Sequence, residues 1–96
     1  MTRLVGIELL PGDEAEAVVL AAEESQDDVV IDRNAAVVIV SAPNRLEISP
    51  AAVREHLGRD DWSGPDIQVI MSSYFGFLTQ LDDERIVLEW HRRDGG

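Results

Sequence analysis

Val29-Val30-Ile31-Asp32-Arg33-Asn34-Ala35-Ala36-Val37-Val38-Ile39-Val40 places two β-branched runs on either side of a short polar break. β-Branched side chains pack well on a pleated surface, and Asn tolerates a left-handed turn, so the spacing predicts a β-hairpin with Asn34 at the turn. After Val40 the period changes. Ala42-Pro43-Asn44 interrupts, Leu46 to Ile48 reads as a short extended piece, and Ser49-Pro50 is a helix start, with Ser as the N-cap and Pro in the first turn. The helix runs from Ala51 to Leu57 with Val53 and Leu57 facing inward, and Gly58 stops it.

Upstream, Leu4 to Leu10 reads as a strand broken by Pro11-Gly12. A helix then starts at Asp13, with Glu16 three residues on as in a capping box. Ala15, Val18, Val19 and Ala22 recur at helical spacing and form its buried face. Glu23-Glu24 close it poorly, because acids are disfavoured at a helix C-terminus. Downstream, Arg59 to Asp66 is a polar loop holding Trp62, Gly64 and Pro65. Ile67 to Ser72 reads as a strand, Tyr74-Phe75-Gly76-Phe77 as a turn or bulge, Leu78 to Glu84 as a polar connection, and Arg85 to Trp90 as a last strand.

The order is β-α-β-β-α-β-β. It predicts an α+β fold with an antiparallel-rich sheet and two helices packed on one face. A length of 96 residues fits a single domain, assigned to residues 1–90, with 91–96 as a mobile C-terminal tail.

Composition excludes several functions. With 19 acidic and 8 basic residues the net charge is −11. That argues against nucleic acid and against an anionic membrane surface, both of which need clustered cations. The chain has no cysteine, so disulfides, thiolate nucleophiles and Cys-based metal sites are out. No apolar run reaches the length of a membrane span, and Met1-Thr2-Arg3-Leu4 lacks the apolar core of a signal peptide, so the expected setting is the cytoplasm.

Catalytic equipment is also missing from the motifs. The two histidines, His56 and His91, lie far apart and neither has a carboxylate at metal-ligand spacing. The acidic pairs and runs at Asp27-Asp28, Asp60-Asp61 and Asp82-Asp83-Glu84 lack the alternation of a calcium loop. Gly-rich phosphate loops and nucleophile elbows are absent. The expectation is a protein with no metal, no cofactor and no substrate of its own. Its aromatics admit two readings. Trp62, Tyr74, Phe75 and Phe77 are core residues or contact residues, and local pattern weighs the core slightly more heavily.

One ordered combination reaches further. Arg45-Leu46-Glu47-Ile48-Ser49, then Val53, then His56-Leu57-Gly58-Arg59 and a Trp-containing loop, resembles the second helix region of the MmoB/DmpM family. The stretch Ile67-Gln68-Val69-Ile70-Met71-Ser72-Ser73 and the ending Asp83-Glu84-Arg85-Ile86-Val87-Leu88-Glu89-Trp90 are similar to that family's ending. Phenol hydroxylase members look closest.

The resemblance implies a cofactor-free coupling protein of a soluble multicomponent monooxygenase. Such a protein binds a di-iron hydroxylase and tunes oxygen activation, substrate access and the coupling of NADH use to hydroxylation. It also implies an interface. Ser72, Ser73 and Tyr74 match an element that faces the hydroxylase, while Ile70 and Tyr74 depart from the methane enzyme's component toward bulk and apolarity. The expected hydroxylase contacts are Ile70, Ser72, Ser73, Tyr74, Phe75 and Phe77, with Trp62 as a weaker second candidate. A ligand-binding regulatory module of ferredoxin-like or ACT-like type is the alternative. A small carboxylate enzyme is the least supported.

Overall fold

In the computed structural model, which describes residues 3–90, the chain runs β1 (Leu4–Leu9), α1 (Asp13–Ser25), β2 (Val30–Arg33), β3 (Val38–Pro43), β4 (Arg45–Ile48), α2 (Pro50–Leu57), a 3-10 helix (Gly64–Val69), β5 (Met71–Phe75), β6 (Phe77–Leu81) and β7 (Ile86–Glu89). The α+β class and the two helices match the sequence reading. Every strand pair is antiparallel. The expected tail at 91–96, with His91, lies outside the described residues.

The strands form two sheets rather than one, in the orders β2-β3-β1-β5 and β4-β7-β6. Two corners cause the split. Between β3 and β4, Asn44 has φ 66°, and between β5 and β6, Gly76 has φ 101°. A left-handed residue cannot continue a strand, so the chain turns out of one sheet and enters the other. The Asn44 corner is tied down by its N–H donating to Arg3 O at 2.7 Å and its carbonyl accepting from Trp90 N at 3.3 Å. Trp90 adds Nε1 donating to Leu4 O at 2.9 Å. Ferredoxin-like and ACT-like modules hold their strands in one sheet, so this topology departs from that alternative.

The hairpin forms as predicted, but Asn34 acts differently. Its side-chain oxygen accepts from Ala36 N at 2.8 Å and Val37 N at 3.0 Å. Asn44 is the asparagine with positive φ. α2 also forms as read: Ser49 Oγ accepts from Ala52 N at 3.2 Å, and Gly58 closes the helix at φ 69°. α1 departs from the capping box. Its N-cap is Gly12, Asp13 is already helical, and the Glu16 carboxylate pairs instead with Arg33 at 2.7 Å.

Two further elements differ. Val69 is 77% exposed and Ile67 buried, a placement set by the 3-10 helix where a strand was expected. Pro65 and the Asp66 carboxylate, which accepts from Ser63 N at 2.8 Å, fix that turn before β5 begins. The stretch read as a polar connection holds all of β6 but its first residue, Phe77. Its register slips between Leu78 and Gln80 against β7, and the bulge hides the two-residue alternation that marks a strand.

The core is one cluster. Val5, Ile7 and Leu9 of β1 and Val38 and Val40 of β3 meet Leu46, Ile48, Ile86 and Leu88 of the smaller sheet, with Ala15, Val18 and Ala22 of α1 and Val53 of α2. β4 is an edge strand, and Gln26 covers it by accepting from Glu47 N at 2.9 Å and donating to Arg45 O at 3.0 Å. No helix among the described residues is long and apolar enough to cross a membrane.

Candidate functional site

The free edges of the two sheets meet at Gly76. β5 is the last strand of the larger sheet and β6 the last of the smaller. A β-carbon on Gly76 would come within 2.7 Å of Val5 Cγ1, so both φ and space require glycine there. This corner carries most of the expected contact residues on consecutive positions.

Residues directly opposite in an antiparallel pair share a face. Ser73 opposes Glu8 and Phe75 opposes Gly6, so both lie on the outer face, whereas Tyr74 opposes Ile7 and lies at the rim of the core face. Ser72 is the extra residue of a β-bulge, where Glu8 and Leu9 oppose Ser73 and Met71, and its Oγ donates to Glu8 O at 3.2 Å. Ser72 and Ser73 are exposed. Tyr74 is 48% and Phe77 40% exposed, uncommon values for aromatics in a domain with a complete core. Phe75 is half-buried because its ring lies over Gly6, where an added β-carbon would sit 2.7 Å from Cζ. Ile70 is half-buried at the other end of β5, and its carbonyl accepts from Leu10 N at 2.7 Å.

For Trp62 the core reading holds, and its place as a weaker contact candidate falls. It is 2% exposed, and its Nε1 donates to Glu14 Oε2 at 3.1 Å. The loop holds the indole inside: Arg54 Nη1 donates to Trp62 O at 3.0 Å and reaches Asp83 Oδ1 at 2.7 Å. The ring is a core anchor with its one polar atom satisfied at the surface, and it offers no face to a partner.

A signal that sequence reasoning missed marks the same region. No residue from Ile67 to Leu81 is charged, the longest such stretch in a chain of net charge −11. Edge strands in soluble proteins are commonly guarded by charge or proline, and β5 has neither. The acids begin again at Asp82. Its carboxylate is held below the usual carboxylate range, first by the Arg85 N–H, then by Gln80 and the Glu84 N–H. Glu16 is also lowered, chiefly by its hydrogen bond to Arg33, with burial opposing. His56 bridges the helices, Nε2 lying 2.9 Å from Glu24 Oε2. Among the described residues no three His, Asp or Glu side chains gather as a metal site.

The geometry therefore points to contact chemistry: an uncharged, aromatic-bearing sheet edge on an acidic body. The MmoB/DmpM family model matches residues 3–89. The stimulatory component DmpM of phenol 2-monooxygenase from Pseudomonas sp. (strain CF600) is 34% identical over 90 residues, covering 94% of this chain and 98% of that one. A chain in a solved phenol hydroxylase–regulatory protein complex superposes with a TM-score of 0.80 at 28% identity, covering 93% of this chain and 100% of that one. A second such complex gives 0.76 at 26% identity, with 92% and 100% covered. By a family match over nearly its whole described length and by fold, the chain belongs to the MmoB/DmpM family.

Proposed function

We propose that this protein is the regulatory component of a multicomponent monooxygenase, and that it docks on the hydroxylase through the β5–β6 corner without performing a chemical step. The observation that carries the reading is the uncharged edge from Ile67 to Leu81, with Tyr74 and Phe77 exposed on it, in a chain of the MmoB/DmpM family. The contacts are Ile70, Ser72, Ser73, Tyr74, Phe75 and Phe77. The setting is the cytoplasm.

Docking acts on the partner's conformational equilibrium. A ligand shifts that equilibrium only by binding the active conformer better than the resting one, with about 1.4 kcal/mol of preference for each tenfold shift. The two aromatics supply apolar contact area, and the Ser72 and Ser73 hydroxyls and the β5 backbone edge supply hydrogen bonds. The acidic body speeds encounter with a basic face of the hydroxylase. Through this shift the protein tunes oxygen activation at the partner's di-iron centre, substrate access, and the coupling of NADH use to hydroxylation.

Titration calorimetry with the cognate hydroxylase tests the surface. Tyr74→Ala and Phe77→Ala are each expected to weaken binding by about tenfold or more, as centrally placed aromatic anchors do. Unchanged affinity in both variants would remove the corner from the interface.

A further inference from the structure

In a regular strand, residues two apart share a face, so Phe77 and Leu81 would lie together with Leu78 on the other side. β6 does otherwise. Leu78 opposes Leu88 and Leu81 opposes Ile86, so both leucines face the core. Phe77 opposes Glu89 and faces outward. Thr79 is the extra residue that makes this possible. Leu78 and Gln80 oppose the consecutive residues Leu88 and Val87, and Thr79 stands between them outside the ladder.

The apolar pattern alone does not choose this register. Without the bulge, a strand extended back from Leu81 would turn Phe77 inward and Leu78 outward, exchanging one large apolar side chain for another. It would also set Thr79 opposite Leu88, with its hydroxyl toward the core. In the bulged register the hydroxyl lies on the outer side, where Oγ1 is 2.9 Å from Glu89 Oε1 and 3.4 Å from Val87 O.

We propose that Thr79 and Glu89 are positioning residues of the docking corner: their hydrogen bond holds the β6 bulge and so keeps Phe77 on the outer face. Two further observations support this. First, Glu89 is itself held in place. Its side chain is 18% exposed, the lowest value among the ion-paired carboxylates of the described residues, and its Oε2 lies 3.7 Å from Arg45 Nε. A carboxylate so enclosed depends on its polar partners, and the Thr79 hydroxyl is one of them. Second, β5 uses the same device. Met71 and Tyr74, opposite Leu9 and Ile7, share a face although they are three residues apart, and Ser72 is the extra residue between Met71 and Ser73, its Oγ donating to Glu8 O at 3.2 Å. Both strands that meet at Gly76 are therefore re-registered by a hydroxyl residue bonded to the neighbouring strand. The consequence for binding rests on the docking of the β5–β6 corner to the hydroxylase, and the consequence for register does not.

The test reads strand register by NMR in the free protein and affinity for the cognate hydroxylase by calorimetry. Thr79→Val keeps the volume and the branched β-carbon and removes the hydroxyl; Thr79→Ser keeps the hydroxyl; Glu89→Met removes the acceptor. A valine suits a strand, so Thr79→Val should fold, and thermal unfolding verifies it. In the parent, cross-strand Overhauser contacts join Leu78 to Leu88 and Gln80 to Val87. In Thr79→Val and Glu89→Met, contacts from position 79 to Leu88 and from Leu78 to position 89 are expected to appear, and hydroxylase affinity to fall about tenfold as Phe77 turns inward. Thr79→Ser is expected to keep the parental contacts and to bind within about twofold of the parent. Parental contacts in both Thr79→Val and Glu89→Met would overturn the inference while leaving the docking corner in place. A changed register with unchanged affinity would support the role of Thr79 and Glu89 in holding the bulge and overturn the docking role of Phe77.

Discussion

Replacing Trp62 separates a core role from a contact role. The side chain is 2% exposed, and its Nε1–H is bonded to Glu14. Trp62→Ala leaves a cavity that the loop cannot fill, at a cost of about 3–5 kcal/mol. Glu14 is half-exposed and can rehydrate, so the lost hydrogen bond adds less than about 1 kcal/mol. A domain of this size has roughly 5–15 kcal/mol in total, so the alanine variant is expected to be marginal. Trp62→Phe keeps most of the buried area and should cost about 1–2 kcal/mol. Urea unfolding followed by far-UV circular dichroism gives both values. At a temperature where Trp62→Phe is fully folded, its hydroxylase affinity should equal the parent's. A Trp62→Phe protein of parental stability that binds about tenfold more weakly would refute the core assignment.

Gly76→Ala forces a side chain into a left-handed corner and against Val5, so thermal melts should show a loss of about 1–3 kcal/mol. Gln26→Ala uncovers the β4 edge; it should cost about 1–2 kcal/mol in urea unfolding and raise the self-associated fraction in light scattering. The folded pKa of Asp82 is below its unfolded value, so its contribution is present above about pH 4 and is lost as pH falls through the lowered folded value. Asp82→Asn should therefore flatten the acid limb of stability against pH, and an unchanged limb would show that the turn hydrogen bonds do not act this way.

Local chemistry made some of the fold legible. Ser49-Pro50 and Gly58 marked the ends of α2 because capping depends on neighbours in sequence. The β2–β3 hairpin was readable because its runs are long and its loop short. β6 was not, since the bulge at Leu78–Gln80 breaks its period. The division into two sheets was not, since it depends on φ at Asn44 and Gly76 and on bonds from Asn44 to Arg3 and Trp90, far apart in sequence. Within the candidate site, Ser72, Ser73 and Tyr74 were singled out through family resemblance and Phe75 and Phe77 as aromatics at a turn, and the placement of this run on two sheet edges came from topology. Trp62 misled because a Gly/Pro loop looks exposed, whereas Arg54 and Glu14, distant in sequence, hold the ring inside.

If docking changes what the hydroxylase does, the effect must show in turnover. Steady-state product formation by the cognate hydroxylase and its reductase, measured as this protein is added, tests it most directly. The expected result is a rise in rate and in product formed per NADH that saturates as hydroxylase sites fill, with Tyr74→Ala requiring more protein to reach the same plateau. A rate and a product yield that stay flat across the titration would contradict it.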